Sequence, residues 1–337
     1  MLRQRVLEVT QKATQSEALK RIAAGHQLLP ADERGLQFLL LSAQGAHRKP
    51  GGYALKPQVV GEERKKDFFD PFAKQNVEQD LFVTKVYDDH FLVLNKFSVV
   101  DEHVRELHPT NGPRKHQIEV TDVLHSGVVL ATVEFEEQET PLSVSDCRAV
   151  WKAMADLDAF SFFNCGYESG ASQPHKHMQL ISYPSMMTYC GHDMPPLLQF
   201  IDKRLGGEPT DQVVHLQELP FHHYLHRIAL PHDVTDEEAA GHLHAVYTTI
   251  LKEMNACPYA RPPSHEEGAC EQPLAYNLLL TQSFIFVIPR KTPAHNGIEV
   301  NSIGFIGSFF ERNDEQLAFF ETHGAMQLLQ HVGFPPL

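Results

Sequence analysis

The sequence predicts an α+β fold built on a mainly antiparallel sheet, and three observations carry that prediction. Short apolar runs that alternate with polar residues, such as LFVTKVY and VVLATVEF, read as strands. A few long stretches of helical periodicity are interleaved with them. Several strand candidates, among them NLLLT and FIFVIPR, are separated by gaps of hairpin length, shorter than the crossover a parallel pair requires. A chain of 337 residues is long enough for two fused lobes.

Taken in order, the stretch from about Leu2 to Leu28 has apolar residues at helical spacing with Gly25 near its end, which predicts one opening helix. A loop rich in Gly, Pro and Lys follows. LFVTKVY, HFLVLNKFSVV and VVLATVEF are then strands. Pro141 leads into a helix over SVSDCRAVWKAMADLDAF, with Ser143 or Ser145 as its cap and Val150, Met154 and Leu157 on its apolar face. SFFNCG and HMQLISYP are two strands flanking a loop of Gly, Ser and Pro. Residues 202–212, DKRLGGEPTDQ, form the expected linker between a half at 1–201 and a half at 213–337. Thr235 caps the next helix, with acids in its first turn and Leu243, Val246 and Ile250 on one side. NLLLT and FIFVIPR are adjacent strands, and NDEQLAFFETHGAMQLLQHV closes the chain as one helix. Each half holds a strand run ending in a basic residue, LVLNK and FVIPRK, a faint sign of two related lobes.

Composition narrows the function. A net charge of −14 speaks against a nucleic-acid binder, which draws affinity from neutralising phosphates. The charge is uneven: residues 1–66 carry twelve Lys and Arg against six Asp and Glu, a local +6. Arg48, Lys49 and Lys56 beside Gly51 and Gly52 are compatible with cradling a small polyanion. No stretch approaches the roughly 18–20 apolar residues of a membrane helix, and MLRQRVLEV lacks the apolar core of a secretion signal. A soluble, cytoplasmic protein is expected, with nuclear entry possible. Five cysteines without a C-x-x-C pair suit a reducing compartment and give no cysteine zinc knuckle.

Twenty-one histidines would produce about 1.3 H-x-H triplets by chance, so the bare pattern is uninformative. His242-Leu-His244, inside a helical stretch, is a helix face. His175-Lys-His177-Met-Gln179 differs in context: it follows Asn164-Cys-Gly166-Tyr-Glu-Ser169-Gly170-Ala-Ser172-Gln173-Pro174 and runs into Leu180-Ile181. On a strand, positions 175, 177 and 179 share a face. Two imidazoles and a carboxamide then converge, which suits phosphoryl or nucleotidyl transfer, because neutral imidazole is a good nucleophile at pH 7 and its phosphoramidate is readily discharged. Ser172, Gly-rich backbone and Gln179 can donate to phosphate oxygens.

The run N-x-G-x-x-S-G-x-S-Q-P-H-x-H-x-Q resembles the transferase branch of the histidine-triad superfamily, and GASQPHKHMQ closely resembles fungal-type ATP adenylyltransferases, the diadenosine tetraphosphate phosphorylases. The resemblance extends to DPF at 70–72, LVLNKFSVVDEH at 92–103, EFEEQ at 134–138, LPF at 219–221, and YNLLLT through VIPR and VNSIGF at 276–305. It implies two fused histidine-triad-like halves on a mainly antiparallel sheet with flanking helices. It makes His177 the nucleophile that takes an adenylyl group, has His175 fix the loop, and puts Gln179 where hydrolytic members carry a third histidine. Asn164, Ser169, Gly170, Ser172 and Gln173 fall in the phosphate-contacting motif, and Asn95 in a nucleotide-contact region. Lys49, Asn277, Arg290 and Lys291 are looser matches, equally readable as surface charge or strand-end polarity.

The implied activity is phosphorolysis of diadenosine tetraphosphate to ADP and ATP, reversibly, with diadenosine polyphosphates, ATP, ADP and phosphate as ligands and no membrane or nucleic-acid partner. No protein-bound metal is expected, only a divalent ion, magnesium, carried by the nucleotide. The alternatives are a sugar-nucleotide phosphorylase or uridylyltransferase of the same branch, or an inactive nucleotide-binding sensor. The N-terminal C-x-x-C that joins zinc in many uridylyltransferases is lacking. One departure from the family pattern is a stretch at 105–127 that separates Val104 from Val128, read as an insertion.

Overall fold

A computed structural model describes residues 2–42, 69–101, 127–190, 194–209, 211–260 and 274–337. Nine strands form its central sheet: β3 (Phe82–Val86), β4 (His90–Leu94), β6 (Val128–Thr132), β7 (Ala159–Cys165), β8 (His177–Ser182), β9 (Val213–Val214), β10 (Tyr224–Arg227), β11 (Tyr276–Leu280) and β12 (Phe284–Pro289). Their spatial order is β3-β4-β6-β8-β7-β11-β12-β10-β9, and all eight pairings are antiparallel. The expected α+β fold is therefore the observed one. Strands of the N-terminal half meet strands of the C-terminal half along the β7/β11 ladder, where Asn164 lies opposite Asn277. The expected insertion falls almost wholly outside the described residues.

Alternation along the strands gives the sheet two apolar faces. Phe163 and Cys165 of β7, Met178 and Leu180 of β8, and Ile285 and Val287 of β12 join one core with helices α1 (Leu2–Gln15), α2 (Val144–Leu157) and α5 (Asp236–Asn255). Phe160 and Phe162 of β7, Leu279 of β11, and Phe284, Phe286 and Ile288 of β12 face the other way. There they meet β2 (Leu39–Ser42), α4 (Pro196–Leu205) and α7 (Ala325–Val332). A third, small cluster of Phe91, Val93, Val129 and Ala131 lies toward the β3 edge. The two capped helices form as the sequence indicates: Ser143 with Asp146, and Thr235 with Glu238, each close a reciprocal capping box. These helices, α2 and α5, pack against one another.

Four local expectations give way to the structure. The opening helix stops at Gln15, Glu17 turns the chain with a positive φ of 57°, and Lys20–Leu28 becomes strand β1. Pairing with β2 and with β5 (Phe97–Asp101) outweighs the helical preference of its alanines. HFLVLNKFSVV is two strands, β4 in the large sheet and β5 in a second sheet ordered β15-β2-β1-β5, with β15 at Ser308–Glu311. The linker begins later than expected, because Asp202–Leu205 completes α4 and Leu205 is buried. The closing helix is α6 (Asp314–His323) followed by α7, broken at Gly324, whose φ of 76° ends helical geometry. Between β12 and β15 in the chain, short strands β13 (Ala294–His295) and β14 (Ile298–Glu299) pair with each other antiparallel as a separate two-stranded sheet. Helix α3 (Tyr183–Cys190) follows β8.

Candidate active site

His177 opens β8, with Ala131 of β6 as its neighbour in the ladder. β8 alternates so that Met178 and Leu180 enter the helix-covered core while His177 and Gln179 face the other side, with Val129 and Phe162 beside Gln179. The His177 ring has one orientation fixed by its own backbone: Nδ1–H donates to the His175 carbonyl at 2.8 Å. In the neutral ring the lone pair is therefore on Nε2. Gln138 braces the same residue. Its Oε1 accepts from the His177 N–H at 2.8 Å, and its Nε2 donates to the carbonyls of His177 (3.1 Å) and Asn164 (2.9 Å). The Phe72 ring lies tilted over His177 with centroids 5.1 Å apart.

His175 precedes the strand, bridged to Glu137, and is buried. Nδ1–H donates to Asp70 at 2.7 Å, while Nε2 is 2.9 Å from the Thr132 carbonyl and 3.0 Å from its hydroxyl. It ties the Asp70–Phe72 turn to the end of β6.

Across the seam, Asn164 accepts three hydrogen bonds at Oδ1: from Asn277 Nδ2 (2.8 Å), the Ser302 N–H (3.0 Å) and the Ser302 hydroxyl (2.8 Å). This fixes its carboxamide so that the NH2 end is the donor left over; among the described residues that end has no partner. Extending the β7/β8 register places Asn164 across from His177. Asn277 also donates to the Ser169 carbonyl at 2.8 Å and accepts from Arg290 Nη1. Arg290 is buried, and its guanidinium reaches the carbonyls of Ser169, Val332, Thr292 and Val300. Asn277 and Arg290, the looser matches left open between ligand contact and strand-end polarity, thus serve as the frame that holds the glycine loop against the sheet. Burial was not visible in the sequence. Ser169 is buried too, its hydroxyl bonded to the Gly166 carbonyl at 2.7 Å, and Gly170 ends that short turn. Gly166 has φ 82°, and a Cβ there would sit 2.8 Å from the Ala275 Cβ.

Open to solvent are exposed Ser172 and half-exposed Gln173 and Gln179, whose side chains make no hydrogen bond to the described residues. Lys291 is exposed. Asn95, at the end of β4, accepts from the Phe97 N–H at 3.2 Å. It lies four residues along and two strands over from His177, about 16 Å away by strand geometry. Lys49 falls outside the described residues. Cysteine chemistry is disfavoured beside the motif, since burial pushes the Cys165 thiol up to about 12. Among the described residues no three metal-ligating side chains converge. Sequence reasoning assigned no role to Gln138, Asp70, Phe72 or Ser302, although each lies in a segment that carried the resemblance.

The Ap4A phosphorylase N-terminal domain model matches residues 1–122 and 113–201, and the ATP adenylyltransferase C-terminal domain model matches residues 217–335. The chain belongs to the Ap4A phosphorylase family. As a member it is a nucleotidyltransferase of the ATP adenylyltransferase type. Among its relatives, diadenosine 5',5'''-P1,P4-tetraphosphate phosphorylase 2 of Saccharomyces cerevisiae is 27% identical over 292 residues, 79% of this chain and 76% of the relative. Protein APA1 of the same yeast is 25% identical over 261 residues, 72% of this chain and 68% of the relative. The crystal structure of yeast Ap4A phosphorylase Apa2 in complex with AMP superposes with a TM-score of 0.70 at 23% identity, covering 99% of this chain and 98% of that one. This family member therefore shares the Apa2 fold. Among its described residues no helix is long and apolar enough to cross a membrane.

Proposed function

We propose that this family member cleaves diadenosine tetraphosphate by phosphorolysis through an adenylyl-His177 intermediate. The observation that carries the reading is the hydrogen bond from His177 Nδ1–H to the His175 carbonyl, which leaves the Nε2 lone pair as the nucleophile. Nε2 attacks the α-phosphorus and the bond to the bridging oxygen breaks, so ATP leaves and AMP stays on the ring. A phosphate oxygen then attacks the same phosphorus, the N–P bond breaks, and ADP leaves with neutral His177 restored. The yeast relative's structures with AMP and with Ap4A support nucleotides as ligands.

Gln179, Ser172, Gln173 and the NH2 end of Asn164 are the donors this reading assigns to phosphate oxygens, with Gly170 allowing close backbone approach. Lys49 and Lys291 are the cations assigned to the entering phosphate. Asn95, at its distance, is assigned to the nucleoside end of a long substrate. A divalent ion such as magnesium arrives with the polyphosphate and neutralises it without a protein cage. The reading places the enzyme in the cytoplasm.

Gln179 determines the acceptor. Water must lose a proton as it attacks, and a carboxamide cannot take it, whereas phosphate arrives already anionic. Turnover should require phosphate and give ADP and ATP in equal amounts. His177→Ala should lose several orders of magnitude in kcat, and labelled substrate should leave an acid-labile, base-stable adduct only on the wild type. Rapid phosphate-independent AMP release would make the protein a hydrolase, and binding without product would make it a sensor.

A further inference from the structure

Lys176, between the two motif histidines, projects from the opposite face of the chain into a buried charge network. It is 1% exposed. Its ammonium donates to Asp146 at 2.6 Å, to Glu136 at 3.0 Å and to the Pro141 carbonyl at 3.0 Å, using all three protons. Asp146, in the first turn of α2, also accepts from the Ser143 N–H (2.7 Å) and hydroxyl (2.9 Å) and from His90 Nε2 (2.8 Å). His90 Nδ1 is 3.1 Å from Asp89, which accepts from Ser145 as well. Burial works against charge on both, yet Asp146 and Asp89 raise the His90 pKa, and His90 and Lys176 hold Asp146 well below the usual carboxylate range. A small crevice lined by His90, Thr132, Asp146, Lys176 and His177 adjoins this network.

The backbone connects this network to His177. The peptide that joins residues 175 and 176 carries the His175 carbonyl at one edge and the Lys176 N–H at the other, and it is planar. That N–H donates to the Glu136 carbonyl at 2.8 Å, the same residue whose carboxylate takes the Lys176 ammonium. The next carbonyl, of Lys176, accepts from the Thr132 N–H at 3.2 Å. Fixing the N–H edge of the plane aims the carbonyl edge, which is the acceptor for His177 Nδ1–H. Holding a lysine in one rotamer and burying its charge both cost free energy. An apolar side chain would fill the space without that cost, but it would not clasp residue 136 or α2.

We propose that Lys176 is a positioning residue: by its grip on Asp146 and Glu136 it fixes the peptide plane whose carbonyl holds His177 in the attacking tautomer. This rests on the reading of His177 as the nucleophile. The test uses the full chain labelled with 15N-histidine, the His177 signals being assigned by their loss in His177→Ala. Lys176→Met alone leaves Asp146 buried without its cation, so the double variant Lys176→Met/Asp146→Asn, neutral on both sides, carries the test. Wild type should show one neutral His177 tautomer, protonated at Nδ1. The double variant should show both tautomers, a kcat lower by about 10–100-fold as expected for a misaligned nucleophile, and KM values for dinucleotide and phosphate within about threefold of wild type. Lys176→Arg should restore part of kcat. A folded double variant with a single Nδ1–H tautomer and wild-type kcat would overturn the proposal, as would a large rise in KM at unchanged kcat, which would make Lys176 a substrate contact. If instead His177→Ala keeps its turnover, the nucleophile assignment fails, and the tautomer measurement still decides whether Lys176 orients the ring.

Discussion

Replacing Gln138 by leucine tests the brace under the nucleophile. The side chain is 3% exposed and makes three hydrogen bonds, so the near-isosteric change Gln138→Leu removes all three with little difference in volume. The orphaned His177 N–H costs about 1–3 kcal/mol, and two weakened carbonyls add roughly 1 kcal/mol between them. A total of about 3 kcal/mol, set against an unfolding entropy of about 0.7 kcal/mol/K for a chain of this length, lowers Tm by about 4 °C if the chain unfolds as one unit. Because the start of β8 shifts with the brace, kcat should fall at least about tenfold with smaller changes in KM. Scanning calorimetry and steady-state kinetics with and without saturating phosphate measure both. Gln138→Glu is the sharper control: it keeps an acceptor for the His177 N–H but points an anion at two carbonyls, so at neutral pH it should be worse than leucine. Wild-type Tm and kcat in Gln138→Leu would refute the bracing argument.

Arg290→Met strips donors from four carbonyls and from Asn277, and should cost about 3–5 kcal/mol in denaturant unfolding while leaving the phosphate KM of the folded enzyme unchanged. Gly166→Ala combines a positive φ with a 2.8 Å approach to Ala275 and should lose about 2–3 kcal/mol; adding Ala275→Gly should recover only the contact part, read by the same denaturation curves. Stability should also respond to pH from both sides. Burial lowers His222 and His223 to about 4, so the unfolded chain takes up protons there first, and Tm should fall as pH drops from about 6.5 toward 4. His90 has the opposite sign: its raised pKa contributes stability below about 6.5 that is lost as pH rises through its folded value. Asp146→Asn should flatten that alkaline decline in Tm.

What the sequence disclosed was local. The capping boxes at Ser143 and Thr235 sit within four residues of their helices' starts, and the glycine loop, His177 and its strand form one continuous run, so both were readable. Lys20–Leu28 was misread because its strand character comes from partners at Leu39–Ser42 and Phe97–Asp101, not from its own alanines. The break at Gly324 had a local signal that helical periodicity on both sides masked. Within the site, Gln138 gave no sign of its role because it acts on backbone 26 and 39 residues away. Arg290 stayed open between anion contact and strand-end polarity for a related reason: only the folded chain shows its guanidinium among carbonyls.

The β7/β11 ladder bears on what a protease could do to this enzyme. The covalent link between the halves passes through the exposed stretch around Gly206 and Gly207, whereas the mechanical link is the five residue pairs of β7/β11, the four of β2/β15, the packing of α2 on α5, and the Asn164, Asn277 and Ser302 hydrogen bonds. Cutting the tether would leave that seam, and the frame of the glycine loop, in place. Making one half without the other would strip β7 of its neighbour and uncover a fully buried strand edge, an invitation to aggregate. The two halves are thus separable as polypeptides only in each other's company: the second half holds no part of the H-x-H motif, yet supplies the wall against which the first half keeps its nucleophile in register.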